Sequence, residues 1–213
     1  MQAANTLAQN IAKALLEIGA VNLNPRQPFT WTSGMKSPIY CDNRLTISYP
    51  AIRNMIADGF ASIIRENYPD AELIAGAATG GIPHAALVAD RLNLPMVYVR
   101  SKPKGHGQGR MVEGAMHEGQ KTIVIEDLIS TGGSSLKVAQ AVNDEGGQAI
   151  AVAAIFTYEF EAATNAFREA GIDLRTLSNY STLIQQAAES GSIDQEELAL
   201  LHSWKERPDS YGL

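Results

Sequence analysis

Apolar residues first recur at helical spacing. Leu7, Ile11, Ala14, Leu15 and Ile18 fall on one face, which predicts an opening helix stopped at Gly19. A second such face, made of Ile52, Met55, Ile56, Phe60, Ile63 and Ile64, predicts a longer helix from about Tyr49, closed by Pro69. Between them residues 29–44, "FTWTSGMKSPIYCDNR", read as two short extended pieces around a turn holding Gly34 and Pro38. Short apolar runs then alternate with helical patterns. "ELIAGA" (72–77), "MVYVR" (96–100), "KTIVIED" (121–127) and "AIAVAAIF" (149–156) read as strands, while "IPHAALVADRL" (82–92) and "SSLKVAQAVNDEGG" (134–147) read as helices.

The strands lack in/out alternation, as expected where helices cover both faces of a parallel sheet. The pattern predicts an α/β fold, a doubly wound and mainly parallel sheet flanked by helices, with ligands at the carboxyl ends of the strands. After an apolar piece at 174–177, residues 181–213 read as two helices, the second opening at Asp194 and Glu197 with Leu198 and Leu201 on its apolar side. With no repeat and no long linker, the 213 residues predict one domain: a core at about 48–180, an N-terminal cap or hood at about 1–47, and C-terminal helices from about 181.

Composition narrows the function. A net charge of −6 argues against the broad basic field that non-specific nucleic-acid or membrane-surface binding needs. Cys41 is the only cysteine, which excludes a disulfide framework or a thiolate metal cluster and fits a reducing cytoplasm. The N-terminus lacks the pattern of a signal peptide, and the apolar run 149–156 is too short to span a bilayer. His84 follows Pro83 inside a predicted helix, and His117 and His202 have no partner at metal spacing, so no protein-coordinated metal is expected. Trp31 and Tyr40 read as packing residues.

The chemistry concentrates in "TIVIEDLISTGGSS" (122–135). A strand delivers Glu126 and Asp127, and then Ser130, Thr131, Gly132, Gly133, Ser134 and Ser135 lead straight into a helix. Glycine freedom, hydroxyl donors and the unsatisfied N–H groups of a helix start make an anion cradle suited to a phosphate monoester. No lysine follows the glycines and no G-x-G-x-x-G is present, so neither a nucleoside-triphosphate loop nor a dinucleotide site is indicated. Two carboxylates would repel a phosphate unless vicinal ribose hydroxyls or a hydrated Mg²⁺ engage them. A phosphorylated ribose with a metal reconciles acids and cradle; the blander alternative is an acidic strand end followed by a helix-capping turn. A second segment, "VRSKPKGHGQGRMVEG" (99–114), carries Arg100, Lys102, Lys104, Arg110 and His106 among four glycines and no acid before Glu113. With little to pack, it reads as a mobile cationic loop able to neutralise a pyrophosphate leaving group; a solvated basic loop is the plain alternative.

The string 122–135 resembles the phosphoribosyl pyrophosphate (PRPP) signature of the type I phosphoribosyltransferases. Arg100, Lys104, His106 and Gly107 are similar to the R-x-x-x-K-x-H-G loop of that family's orotate-using branch, residues 29–44 to its F-x-x-x-S-G-x-x-S-P-x-Y segment, and "AGAATGGIPHAALVA" (75–89) to its pyrophosphate loop. The resemblance covers about residues 5–205 and implies the type I phosphoribosyltransferase fold and transfer from PRPP to orotate with Mg²⁺, held mainly through PRPP and water. It implies PRPP contacts at Arg100, Lys104, His106, Glu126, Asp127, Leu128, Ile129, Ser130, Thr131, Gly132, Gly133 and Ser134. Asp127, Lys104, Arg100 and His106 would carry catalysis, Asp127 by stabilising the anomeric cation and the other three by neutralising the departing pyrophosphate. Orotate contacts are implied at Ser130, Ser33 and Lys36. An arginine that some members use for orotate, after the strand near Phe156, is absent from "FTYEFE"; Ser130, Thr131, the backbone near 33–36 and Arg44 remain alternatives for the orotate carboxylate. The resemblance further implies a homodimer in which the 100–114 loop completes the neighbouring subunit's site, without nucleic-acid or membrane partners. The competing readings are a purine or uracil phosphoribosyltransferase and a non-enzymatic PRPP sensor; the loop motif speaks against the first, and the acidic chain without a nucleic-acid surface against the second.

Overall fold

A computed structural model describes residues 2–31, 34–102, 110–208 and 211, with residues 2–5 described by backbone alone. In chain order the elements are helix α1 (Gln2–Glu17), strands β1 (Val21–Leu23), β2 (Phe29–Thr30), β3 (Lys36–Ser37) and β4 (Ile39–Cys41), a 3-10 turn (Asn43–Ser48) and helix α2 (Pro50–Asn67). There follow β5 (Leu73–Ala77), α3 (Gly81–Leu92), β6 (Met96–Val99), β7 (Val112–Glu113), β8 (Lys121–Ile129), α4 (Gly133–Asp144), β9 (Gln148–Thr157), α5 (Glu161–Ala170), β10 (Asp173–Asn179), α6 (Tyr180–Glu189) and α7 (Gln195–Glu206).

Six strands form the main sheet in the order β10-β9-β8-β5-β6-β7, parallel except for β7 at the edge. Burial on both faces explains the unbroken apolar runs. Ile74, Ile123, Ile125, Ala153 and Ile155 point into the layer with α1, α2 and α3, while Leu73, Ala75, Val124, Val152 and Ala154 point towards α4 and α5. From β5 the chain winds outward to β6, and from β8 it winds the other way to β9. The strand order therefore reverses between β5 and β8, and a crevice opens at their carboxyl ends.

The architecture is the expected α/β one, with differences in detail. Strand β8 continues two residues beyond Asp127, and β10 is longer than the apolar piece at 174–177. Helix α5 fills a stretch whose polar faces concealed it. Val112, inside the segment expected to be too polar to pack, is buried in β7 against the α4 side of the sheet. Helix α1 lies in the helical layer against β10 and α6, with Ile11 and Leu15 fully buried, rather than in a cap. The two small antiparallel pairs β1–β4 and β2–β3 form the hood by themselves. The tail is tied back firmly: Asp194 and Glu197 form a reciprocal capping box at the start of α7, and Arg26 from the hood donates to both carboxylates. Among the described residues no helix is long and apolar enough to cross a membrane.

Candidate active site

Two strand–helix junctions face each other at the switch point. At the β5–α3 junction the backbone comes so close to β8 that only glycine fits. A Cβ on Gly81 would lie 2.1 Å from the Ile125 carbonyl oxygen, and one on Gly80 would lie 2.4 Å from the Asp127 carboxylate. The peptide joining Ala78 to Thr79 is cis. At the β8–α4 junction Gly132 takes φ +82°, with the Phe167 ring beneath it, and α4 starts without any side-chain cap. Its first N–H groups therefore remain available to a ligand anion. Gly133 and Ser134 are exposed, and nothing lies within 4 Å of a Cβ placed on Gly133.

The paired acids have separate surroundings. Glu126 is buried; its carboxyl accepts from the Ser135 hydroxyl at 3.1 Å and from the Asp127 N–H at 3.0 Å. Burial first, and then the neighbouring Asp127, push Glu126 well above the usual carboxylate range. Asp127 is half-buried, and its carbonyl accepts a 2.7 Å hydrogen bond from the side-chain amide of Asn43 in the hood. Glu126 thus staples β8 to the first turn of α4, and Asp127 is the more exposed carboxylate.

Two adjoining cavities share this rim. One of about 410 Å³ is lined by Asp42, Arg44, the 78–80 loop, Glu126, Asp127 and Ser134. The other, about 540 Å³, is walled by Trp31, Met35, Tyr40 and Tyr158, with the hydroxyl-bearing Thr30, Ser130 and Thr131. Cys41 and Leu128 line both, so the two halves of the cleft adjoin at these residues. Burial pushes the Cys41 thiol up, which leaves it unreactive. Arg44 is gripped through two nitrogens by Asp42, at 2.6 and 2.9 Å, and that bond holds Asp42 below the usual carboxylate range.

Of the residues expected from sequence, Glu126, Asp127, Leu128 and Ser134 line the first cavity, and Leu128, Ser130 and Thr131 the second. Ile129 is fully buried, so only its backbone is near the loop, and its carbonyl already accepts from Tyr158 N–H. Gly132 and Gly133 shape the start of α4. Arg100, at the end of β6, pairs with Glu113 at 3.4 Å and lines neither cavity. Lys36 donates to the Thr30 hydroxyl at 2.8 Å and also lies off both walls. Arg44 belongs to the first cavity and not to the second. Ser33, Lys104 and His106 lie outside the described residues.

Trp31 and Tyr40, read as packing residues, line the second cavity, although Trp31 also packs and donates from its ring to the Ile39 carbonyl. Sequence reasoning missed Tyr158 and Asn43. Tyr158 follows the tip of β9 much as Asp127 stands at the tip of β8, so the carboxyl-end rule was the available signal. Nothing in the sequence marked Asn43. His84 lies in α3, the helix expected for it, and is buried.

This geometry defines a class. The cleft lies where ligands of doubly wound folds bind, with an acid pair and an open helix start side by side, and residues 48–176 match the family model of the phosphoribosyl transferase domain. The orotate phosphoribosyltransferase of Enterococcus faecalis is 57% identical over 206 residues, covering 97% of this chain and 98% of that protein. That of Bacillus subtilis is 55% identical over 204 residues, covering 96% and 94%. The crystal structure of orotate phosphoribosyltransferase from Aeropyrum pernix superposes with a TM-score of 0.74 at 27% identity, over 86% of this chain and 99% of that one. The chain belongs to the orotate phosphoribosyltransferase family.

Proposed function

We propose that the protein transfers the 5-phosphoribosyl group of PRPP to N1 of orotate, giving orotidine 5′-monophosphate and pyrophosphate, a step of pyrimidine nucleotide synthesis in the cytoplasm. The adjacency of the two cavities carries this reading: a polar half beside two acids and an aromatic half next to it suit a sugar phosphate and a planar base in contact. The uncapped start of α4, with the Ser130, Thr131 and Ser134 hydroxyls, receives the 5′-phosphate. Asp127 accepts from the ribose hydroxyls and balances the positive charge that grows at the anomeric carbon as pyrophosphate leaves. Orotate lies against the aromatic wall with N1 towards that carbon, its polar edge facing the hydroxyls of Ser130 and Thr131; Ser33 is a further contact, and Lys36 becomes one by leaving the Thr30 hydroxyl. Rate comes from positioning and charge, with no covalent enzyme intermediate.

Among the described residues no three His, Cys, Asp or Glu side chains cluster as a metal site, and Glu126 is already engaged by Ser135 and the Asp127 amide. The donor set therefore fits Mg²⁺ carried by PRPP oxygens and water, where it neutralises pyrophosphate. Among the described residues the lining of the first cavity includes one cation, Arg44, and it is taken by Asp42. Pyrophosphate needs more positive charge than that. Arg100, Lys104 and His106 from the 100–114 loop of a second copy supply it, making the working unit a homodimer.

Protein, PRPP, Mg²⁺ and orotate mixed together should release nucleotide and pyrophosphate in equal amounts, with uracil and hypoxanthine inert. Turnover of another base and not of orotate would overturn the reading. Mixing two inactive variants, Lys104→Ala and Asp127→Asn, should restore activity through hybrid dimers; no recovery would remove the shared-site arrangement while leaving the reaction intact.

A further inference from the structure

A buried polar chain reaches the acid junction from behind. Pairing of β8 with β5 ends at Ile125, so two residues on, the Asp127 carbonyl has lost its strand neighbour on that side. The Asn43 side chain takes its place, donating from Nδ2 at 2.7 Å. Asn43 is 1% exposed, and its Oδ1 accepts from the Cys41 thiol at 3.3 Å, which fixes the orientation of the amide. Behind it, the Thr46 hydroxyl donates to the Asn43 carbonyl at 2.6 Å. That hydroxyl has one hydrogen and it is committed, so at 3.3 Å from His84 Nε2 it must accept, and His84 carries its proton on Nε2. His84 Nδ1 is then a buried lone pair without a partner.

We infer that Asn43 is a positioning residue for Asp127: it holds the backbone that aims the carboxylate and ties that backbone to the hood segment lining both cavities. The inference rests on the transfer reading above. Tyr40, Cys41 and Asn43 are almost consecutive, so the same short segment carries part of the base wall and the clamp on the acid. A shift of about 1 Å at a reacting group costs roughly 100-fold in rate.

The decisive variant is Asn43→Asp, which keeps the shape. As a carboxylate it has no proton to offer the Asp127 carbonyl; as a carboxylic acid it donates again. The titratable and charged groups tied to this position are Cys41, Asp42 and Arg44 on its own segment, Asp127 on β8, and His84 on α3 through Thr46. They titrate in the wild type too, so the readout is the ratio of variant to wild type at each pH. The single-turnover rate of nucleotide formation should drop roughly 100-fold at about pH 8.5, with KM for PRPP and orotate held within about threefold. Burial and the neighbouring Asp127 hold the introduced carboxyl above its usual range, so the ratio should recover at least about tenfold towards pH 6. Thr46→Val, which cuts the chain one link back, should lose several-fold in the same single-turnover rate, and it carries the test if Asn43→Asp does not fold. An unchanged rate in either folded variant, or a loss that is flat with pH in Asn43→Asp, would overturn the inference. Absence of turnover in the wild type would instead overturn the transfer reading.

Discussion

The two glycine-bearing junctions at the switch point look alike on paper and do opposite things. At β5–α3 the glycines are there because something is already pressed against them: the Ile125 carbonyl over Gly81 and the Asp127 carboxylate over Gly80. At β8–α4 Gly132 is needed for its φ of +82°, while Gly133 faces open space. One junction is a wall that sets where the acid stands; the other is a cradle kept clear for a guest. A glycine-rich strand–helix loop therefore does not by itself announce a phosphate site, and what occupies the missing Cβ position separates the two cases.

That contrast can be broken by substitution, and the largest effect falls on the wall. Gly81→Ala should cost more than about 3 kcal/mol, because the new methyl carbon would sit 2.1 Å from a backbone oxygen that the sheet holds in place. Urea denaturation showing less than half that loss would mean that the wall is softer than drawn. Beside this wall His84 supplies a pH-dependent term. Burial lowers its pKa from 6.5 to about 4, so the folded state binds fewer protons than the unfolded chain between those values. Its contribution to stability is complete above pH 6.5 and is lost as pH falls through 6.5 to about 4. His84→Gln keeps a donor at the Nε2 position and cannot titrate. Its stability should therefore decline less than that of the wild type between pH 7 and pH 4, by up to about 3 kcal/mol. Parallel declines would place the acid sensitivity elsewhere. The smallest effect belongs to the cradle: Gly133→Ala should change stability by less than about 0.5 kcal/mol, yet raise KM for PRPP several-fold if the phosphate ester lies there. An unchanged KM would move the phosphate off the start of α4.

Much of this was legible because strands buried on both faces write themselves as unbroken apolar runs. β5, β8 and β9 could each be read to within a few residues, and Glu126 and Asp127 stood out as the charged end of such a run. Helix α5 could not be read in that way, since it buries only Ala163 and Phe167 and is otherwise polar. The cleft was half legible. Ser130, Thr131 and Ser134 follow the acids in sequence, so their neighbourhood came with them. Asn43 and Tyr158 arrive from segments 84 and 31 residues away from Asp127 and follow no local pattern (127 − 43 and 158 − 127). Arg44 shows the converse: its charge suggested a ligand contact, but its nearest acid, Asp42, already engages it.

The aromatic wall has one more consequence. Trp204 on α7 packs edge-on against Trp31 and Tyr158, and also meets Phe160 and Tyr180. Helix α7 follows every strand of the main sheet in sequence, so a growing chain could wind that sheet and shape the sugar-phosphate half of the cleft while the indole and phenol rings of the other half still faced water. Competence for the base would come only when α7 folds back and Arg26 latches onto its first turn.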